Sequence, residues 1–96
     1  MFEPGKYKNF SNDEVEKDLE AQGYRPLLIV EKSNDSLEAH SHPQAHILVV
    51  VQGTMKVKLK DKEIIMTSGD KITLEPFVEH AAFFGEKGCE YFWVEF

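Results

Sequence analysis

Ninety-six residues, 42% hydrophobic and 29% charged, make one folded domain and exclude a disordered or fibrous chain. Seventeen acids against 11 bases give a formal charge of −6, a surface that repels phosphate backbones and excludes nucleic acid as a partner. One cysteine, Cys89, excludes a disulfide framework and a multi-cysteine zinc site.

A reducing compartment fits that cysteine usage. No apolar run reaches the roughly 18–20 residues of a membrane span. The first residues show no basic-then-apolar signal pattern. The expectation is a cytoplasmic protein with no membrane contact. A chain this short buries a modest share of its surface, so a bound metal or a second copy is the expected support. A homodimer is therefore expected.

Ser11 with Glu14 three residues on is a capping box, and Phe10 with Val15 suits a hydrophobic staple. Val15 and Leu19 share a helical face, and Gly23 is a good C′ residue. These signals predict a short helix over about 12–22. Residues 1–26 read as an N-terminal segment, and 27–96 as the strand-rich remainder of the same domain.

From Leu27 the pattern is that of strands. Leu27–Glu31 follows Pro26, and Leu37–His42 follows the turn Ser33-Asn34-Asp35-Ser36. His46–Gln52 is apolar on both faces, the mark of a central strand that Gly53 ends. Thr54–Lys60 alternates, with Met55, Val57 and Leu59 inward and Lys56, Lys58 and Lys60 outward. The lysine stripe reads as a wet strand face. Strands follow over Glu63–Thr67, Lys71–Leu74 and about 80–84, then a Gly85–Gly88 turn and a last strand over 90–96. Seven or eight short strands at regular spacing predict an antiparallel sandwich or barrel. Cys89 lacks the basic surroundings of a reactive thiol and reads as inert.

Three of the four histidines lie in one window, His40-Ser41-His42-Pro43-Gln44-Ala45-His46; the fourth is His80. His40 and His42 leave the same strand face with Cα atoms roughly 6.5–7 Å apart. Two imidazoles so placed can converge on one ion. A bend at Pro43 returns His46 to that ion, and His80 joins from a distant strand. The reading is a metal site of His40, His42, His46 and His80.

This spacing resembles the motifs of the cupin superfamily. His40, His42, then three residues to His46 and six more to Gly53, fit its first motif, G-x5-H-x-H-x3,4-E-x6-G. His46 stands where the family most often has Glu, and Asn34 where it has the leading Gly. Gly69, Pro76 and His80 fit the second motif, from which Glu75, Phe77 and Phe84 depart. The resemblance implies a small single-domain cupin: an all-β antiparallel barrel of double-stranded β-helix or jelly-roll type, with the short helix at its N-terminus. It resembles the minority of small cupins whose metal has four histidines.

Imidazole donors suit Mn, Fe, Ni, Co, Cu or Zn, so one divalent transition metal ion is the expected cofactor. Four neutral imidazoles leave the ion its full charge. Octahedral coordination leaves positions open for substrate or oxygen, whereas a tetrahedral site is closed and structural. The expected pocket is apolar, lined by Met55, Val57, Leu59, Phe84 and Phe92. Either Tyr91, Trp93 and Glu95 or Phe92, Val94 and Phe96 face in, and the all-apolar set is preferred. Glu75 and Glu79 read as solvated rim acids. Three functions follow in order: a metal-dependent enzyme (dioxygenase, isomerase or lyase) acting on a small molecule, a metal or small-ligand binding or sensing module, and a metal-stapled structural dimer.

Overall fold

The computed structural model describes all 96 residues. Its elements are β1 (Phe2–Glu3), α1 (Asn12–Ala21), β2 (Leu27–Glu31), β3 (Ser36–His40), β4 (His46–Lys58), β5 (Glu63–Met66), β6 (Lys71–Leu74) and β7 (His80–Glu95). Every strand pairing is antiparallel. No helix is long and apolar enough to cross a membrane.

The two long strands, β4 and β7, each serve two layers. One layer has the order β1-β6-β4-β7-β2 and uses the start of β4 and the end of β7. The other uses the end of β4, paired with β5, and the start of β7, paired with β3. The result is the jelly roll with one short helix that the sequence led us to expect.

Between the layers the ladder shifts register at Val50/Gln52 and again at Gly53/Met55. Gly53 and Gly88 take left-handed backbone, with φ +79° and +74°. Gly53 therefore does not end a strand, and Gly85–Gly88 is not a turn. Both glycine regions bend a continuous strand, because a bulge with a left-handed residue turns the chain without releasing the ladder. The expectation of separate strands on either side is corrected on both counts.

The interior cluster joins Leu48, Val50, Met55, Val57, Met66, Ile72, Leu74, Ala82, Phe84, Cys89 and Tyr91. A second cluster, on the outer face of the first layer, joins Ile47, Val49, Phe92 and Val94 to Tyr7, Val15 and Leu19. The start of β4 is thus buried on both faces, as its unbroken apolar run requires.

The capping box forms: Ser11 N–H donates to Glu14 Oε1 at 2.8 Å, and Glu14 N–H to Ser11 Oγ at 3.2 Å. Past the C-cap, Gly23 N–H reaches Glu20 O at 2.9 Å and Tyr24 N–H reaches Leu19 O at 3.1 Å, a Schellman ending. Val15 and Leu19 are fully buried by this docking, each worth about 1.5–3 kcal/mol of apolar burial. Tyr7 is pinned beneath the helix, its hydroxyl donating to Asp18 Oδ2 at 2.6 Å.

Candidate metal centre

The four histidines gather at one end of the interior. His40 ends β3 and lies opposite His80, the first residue of β7. His42 sits in the loop beyond β3, and His46 opens β4. Ring centroids are 4.4 Å apart for His40 and His80, 4.6 Å for His40 and His42, and 4.4 Å for His42 and His46.

Three of them already present a donor set. One ring nitrogen from each of His40, His42 and His80 lies within 4.8 Å of the others. His40 Nδ1–H donates to Glu38 O at 2.6 Å, and His80 Nδ1–H to Val78 O at 2.9 Å. Each carbonyl is two residues back on the same chain. It fixes the tautomer and leaves Nε2 with its lone pair free, as a metal-ligating imidazole needs. His46 stands outside this set, and its Nε2 lies 3.2 Å from Glu95 Oε2.

Burial, then the charges of His46 and His40, push the His42 pKa below the ordinary histidine value. Burial likewise lowers His80; the hydrogen bond to Val78 opposes this, and the other three histidines add to the lowering. Neutral rings are the form a cation binds. The donor set fits a divalent transition ion: His40, His42 and His80 would hold it, with His46 adjoining.

Two departures from the motif keep the backbone that glycine would have. Asn34, at the leading glycine position, has φ +57°, and Phe77 has φ +66°. Asparagine accepts this conformation with little strain, whereas an aromatic residue does not. Phe77 N–H donates to His42 O at 2.6 Å, tying the histidine loop to the segment before β7.

The histidines border a cavity of about 70 Å³ whose other walls are Leu37, Leu48, Met55, Leu74, Ala82, Tyr91 and Trp93. Of the expected pocket residues, Met55 lines this cavity. Val57 and Phe84 lie deeper in the interior cluster, Phe84 stacked on Tyr91 at 5.9 Å. Leu59 lines a separate recess with Phe2 and Ile64. Phe92 is on the opposite face, under α1, and its placement in the pocket is corrected. Glu75 and Glu79 are exposed.

The reason for the Phe92 correction is a change of parity along β7. His80, Ala82 and Phe84 face the interior, but after the bend the inward residues are Cys89, Tyr91 and Trp93. From Phe84 to Cys89 β7 runs five residues against two on β4, and this odd offset flips every following side chain. The even-numbered Phe92 and Val94 are apolar because the helix covers them. Sequence reasoning preferred those residues for the interior and so passed over Tyr91, Trp93 and Glu95. Tyr91 O–H donates to Glu31 Oε2 at 2.8 Å, so its hydroxyl is already engaged.

The cupin-domain family profile matches residues 27–95 of the chain. A comparison of the sequence with curated proteins finds no match. Among solved structures, a cupin-2 domain protein from Shewanella frigidimarina has a TM-score of 0.66 at 20% identity, covering 75% of this chain and 69% of that one. The polyketide cyclase RemF from Streptomyces resistomycificus has a TM-score of 0.67 at 21% identity, covering 75% and 53%. FeII HppE has a TM-score of 0.66 at 21% identity, covering 80% of this chain and 44% of that one. The profile spans most of the chain, and the strands it spans close into the same barrel as these structures: the chain belongs to the cupin domain family.

Proposed function

We propose that the protein holds one divalent transition metal ion on His40, His42 and His80, with His46 as fourth donor, and uses it on a small, largely apolar molecule. The observation that carries this reading is the set of three ring nitrogens within 4.8 Å of one another at the wall of an apolar cavity. The ion would supply Lewis acidity, or a redox couple where the metal has one. With three or four imidazoles in an octahedral shell, positions remain for a substrate oxygen or dioxygen. An oxygenase, isomerase or lyase is the reaction class. The same fold occurs in an FeII protein, HppE, and in a polyketide cyclase, RemF.

The chain's own residues would bind and exclude water. Leu37, Leu48, Leu74, Ala82 and Trp93 give the molecule an apolar wall. About 70 Å³ is small beside the roughly 300–1,000 Å³ of drug-sized sites, so the occupant has few heavy atoms inside. The test is oxygen uptake and product formation by metal-loaded protein with small oxidisable or enolisable compounds. Turnover that disappears in His80→Ala supports the enzyme. Ligands that raise the melting temperature without turnover support the binding module instead, a reading favoured by the lack of a free acid–base side chain on the apolar wall.

The proposal extends to a homodimer. β2 ends its layer, and its Leu27, Leu28 and Val30 are exposed. The strand carries no lysine or proline to discourage pairing. A second β2 laid antiparallel against it would cover these side chains and pair the open backbone edge.

A further inference from the structure

Leu74 is the one residue that walls both the metal cavity and a second, larger recess. The cavity measures about 70 Å³. The recess measures about 220 Å³ and is mostly apolar, with Phe2, Leu59, Ile64, Ile72 and Val78 in its walls. The strand pairing explains where it lies. β5 pairs with β4, and β6 with β4 and β1, but no ladder joins β5 to β6. That seam between the layers is closed by side chains alone, with Leu59 and Ile64 on one side and Phe2 and Ile72 on the other. Phe2, Leu59 and Ile64 pack against the interior cluster that holds Leu74. Leu74 is 4% exposed and lies opposite His46 in the β4–β6 ladder, so its side chain leaves the sheet on the same face as the His46 ring. It stands between the histidines and the recess.

We propose that Leu74 is a specificity-determining residue: it is the partition that stops an apolar chain from running on from the metal cavity into the recess, and it restricts the site to a molecule with an oxygen-donor head and an apolar part of a few carbons. The inference rests on the metal reading above and deepens it by naming the shape of the substrate. The physical reason is volume. Small-molecule sites begin at roughly 300 Å³; the cavity alone falls far below that, whereas cavity and recess joined come close to it. A leucine packed in a native core does not give way to a ligand tail, because the interior is as dense as an organic crystal. Truncation to alanine would open the shared wall, since the surroundings relax only partly around the gap. The other apolar walls of the cavity, among them Leu37, Leu48 and Met55, do not border the recess.

The test reads affinity against chain length in the whole chain, for wild type, Leu74→Ala and Leu37→Ala. Leu37 walls the cavity from β3, away from the recess, and its truncation removes the same carbons. One probe series is straight-chain hydroxamic acids, from acetohydroxamate to octanohydroxamate, on Co(II)-loaded protein, read by the visible spectrum of the ion. The other is 1-alkanols, from ethanol to octanol, on metal-free protein, read by methyl NMR shifts. Each methylene that is buried should tighten binding roughly fourfold, and one left in water should add nothing. In wild type the gain should stop within the first few carbons. In Leu74→Ala it should continue, so that the ratio of octanohydroxamate to acetohydroxamate affinity exceeds the wild-type ratio at least roughly tenfold. Leu37→Ala should stop near wild type. Leu74→Ala leaves a gap in the core and should lower the urea midpoint; Leu74→Val, a smaller cut that suits a strand, keeps the fold and should show the same shift in smaller measure. A stop at one chain length in wild type and both Leu74 variants, or an equal shift in Leu37→Ala, overturns the role of Leu74 and leaves the metal reading standing. If wild type fails to bind Co(II), the metal reading falls, and the alkanol series still decides whether Leu74 divides the two spaces.

Discussion

Gly53 and Gly88 face each other where β4 and β7 bend, and a Cβ on Gly53 would run into the Gly88 carbonyl. This glycine–glycine contact lets two strands turn together between layers. It also sets the parity of β7, which places Tyr91 and Trp93 on the same side as His80. A Cβ on Gly88 would lie 2.6 Å from Glu31 O, on backbone with φ +74°. Gly88→Ala should therefore lose about 2 kcal/mol or more of stability, from strain that neither backbone can relieve. Urea denaturation reads this directly; an unchanged midpoint would mean that the bend tolerates a side chain.

Phe77 gives the opposite sign. It holds a left-handed conformation at φ +66° while the residue is 73% exposed. Little packing is lost on removing the ring, and roughly 1–2 kcal/mol of backbone strain is relieved, less the entropy glycine adds to the unfolded chain. Phe77→Gly should gain up to about 1 kcal/mol and keep the hydrogen bond to His42 O. A clear loss of stability would show that the exposed ring packs on something the isolated chain does not reveal, such as a second copy.

Acid should destabilise the metal-free protein through the histidine cluster. His42 and His80 have folded-state pKa values below the ordinary one, for which burial is the first cause. The unfolded chain then binds protons that the folded chain refuses. Their contribution to stability is fully present above the unfolded value of about 6.5 and is lost as pH falls from there through the folded values. Urea midpoints measured from pH 7.5 to 5 should fall more steeply in wild type than in a His42→Gln, His80→Gln double variant. Equal slopes would remove the cluster as the cause.

Much of this was legible where the signal is local. Ser11, Glu14 and Gly23 announce the helix ends because capping is a matter of a few neighbouring residues. The Ile47–Val51 run announces a strand covered on both faces. His40, His42 and His80 were legible as neighbours from motif spacing, although His42 lies in the loop beyond β3 and not on the strand expected to carry it. What failed was periodicity carried across a bulge: Phe92 was set inside and Tyr91 outside, since nothing in Gly85–Gly88 reveals that the ladder continues with β7 running five residues, Phe84 to Cys89, against two on β4. Glu95 was passed over for the same reason, together with the preference for an apolar interior. The pairing of β1 with β6 was also hidden, because two residues carry no period.

The open edge of β2 should make the protein a dimer at micromolar concentration. Sedimentation equilibrium of wild type should give twice the 11.0 kDa chain mass, and Val30→Lys, which puts a charge at a residue 68% exposed on that edge, should shift the chain toward monomer. A wild-type monomer at high micromolar concentration would contradict this.

Calorimetric titration of metal-free protein with Zn(II) or Co(II) tests the account most directly. Wild type should bind one ion per chain, with little proton release from His42 and His80 at pH 7.5, since burial lowers both pKa values. His40→Ala and His80→Ala should each lose stoichiometric binding while keeping the strand-dominated far-UV spectrum. Folded wild-type protein that takes up none of the divalent transition metals, or His40→Ala and His80→Ala variants that bind as tightly as wild type, would contradict it.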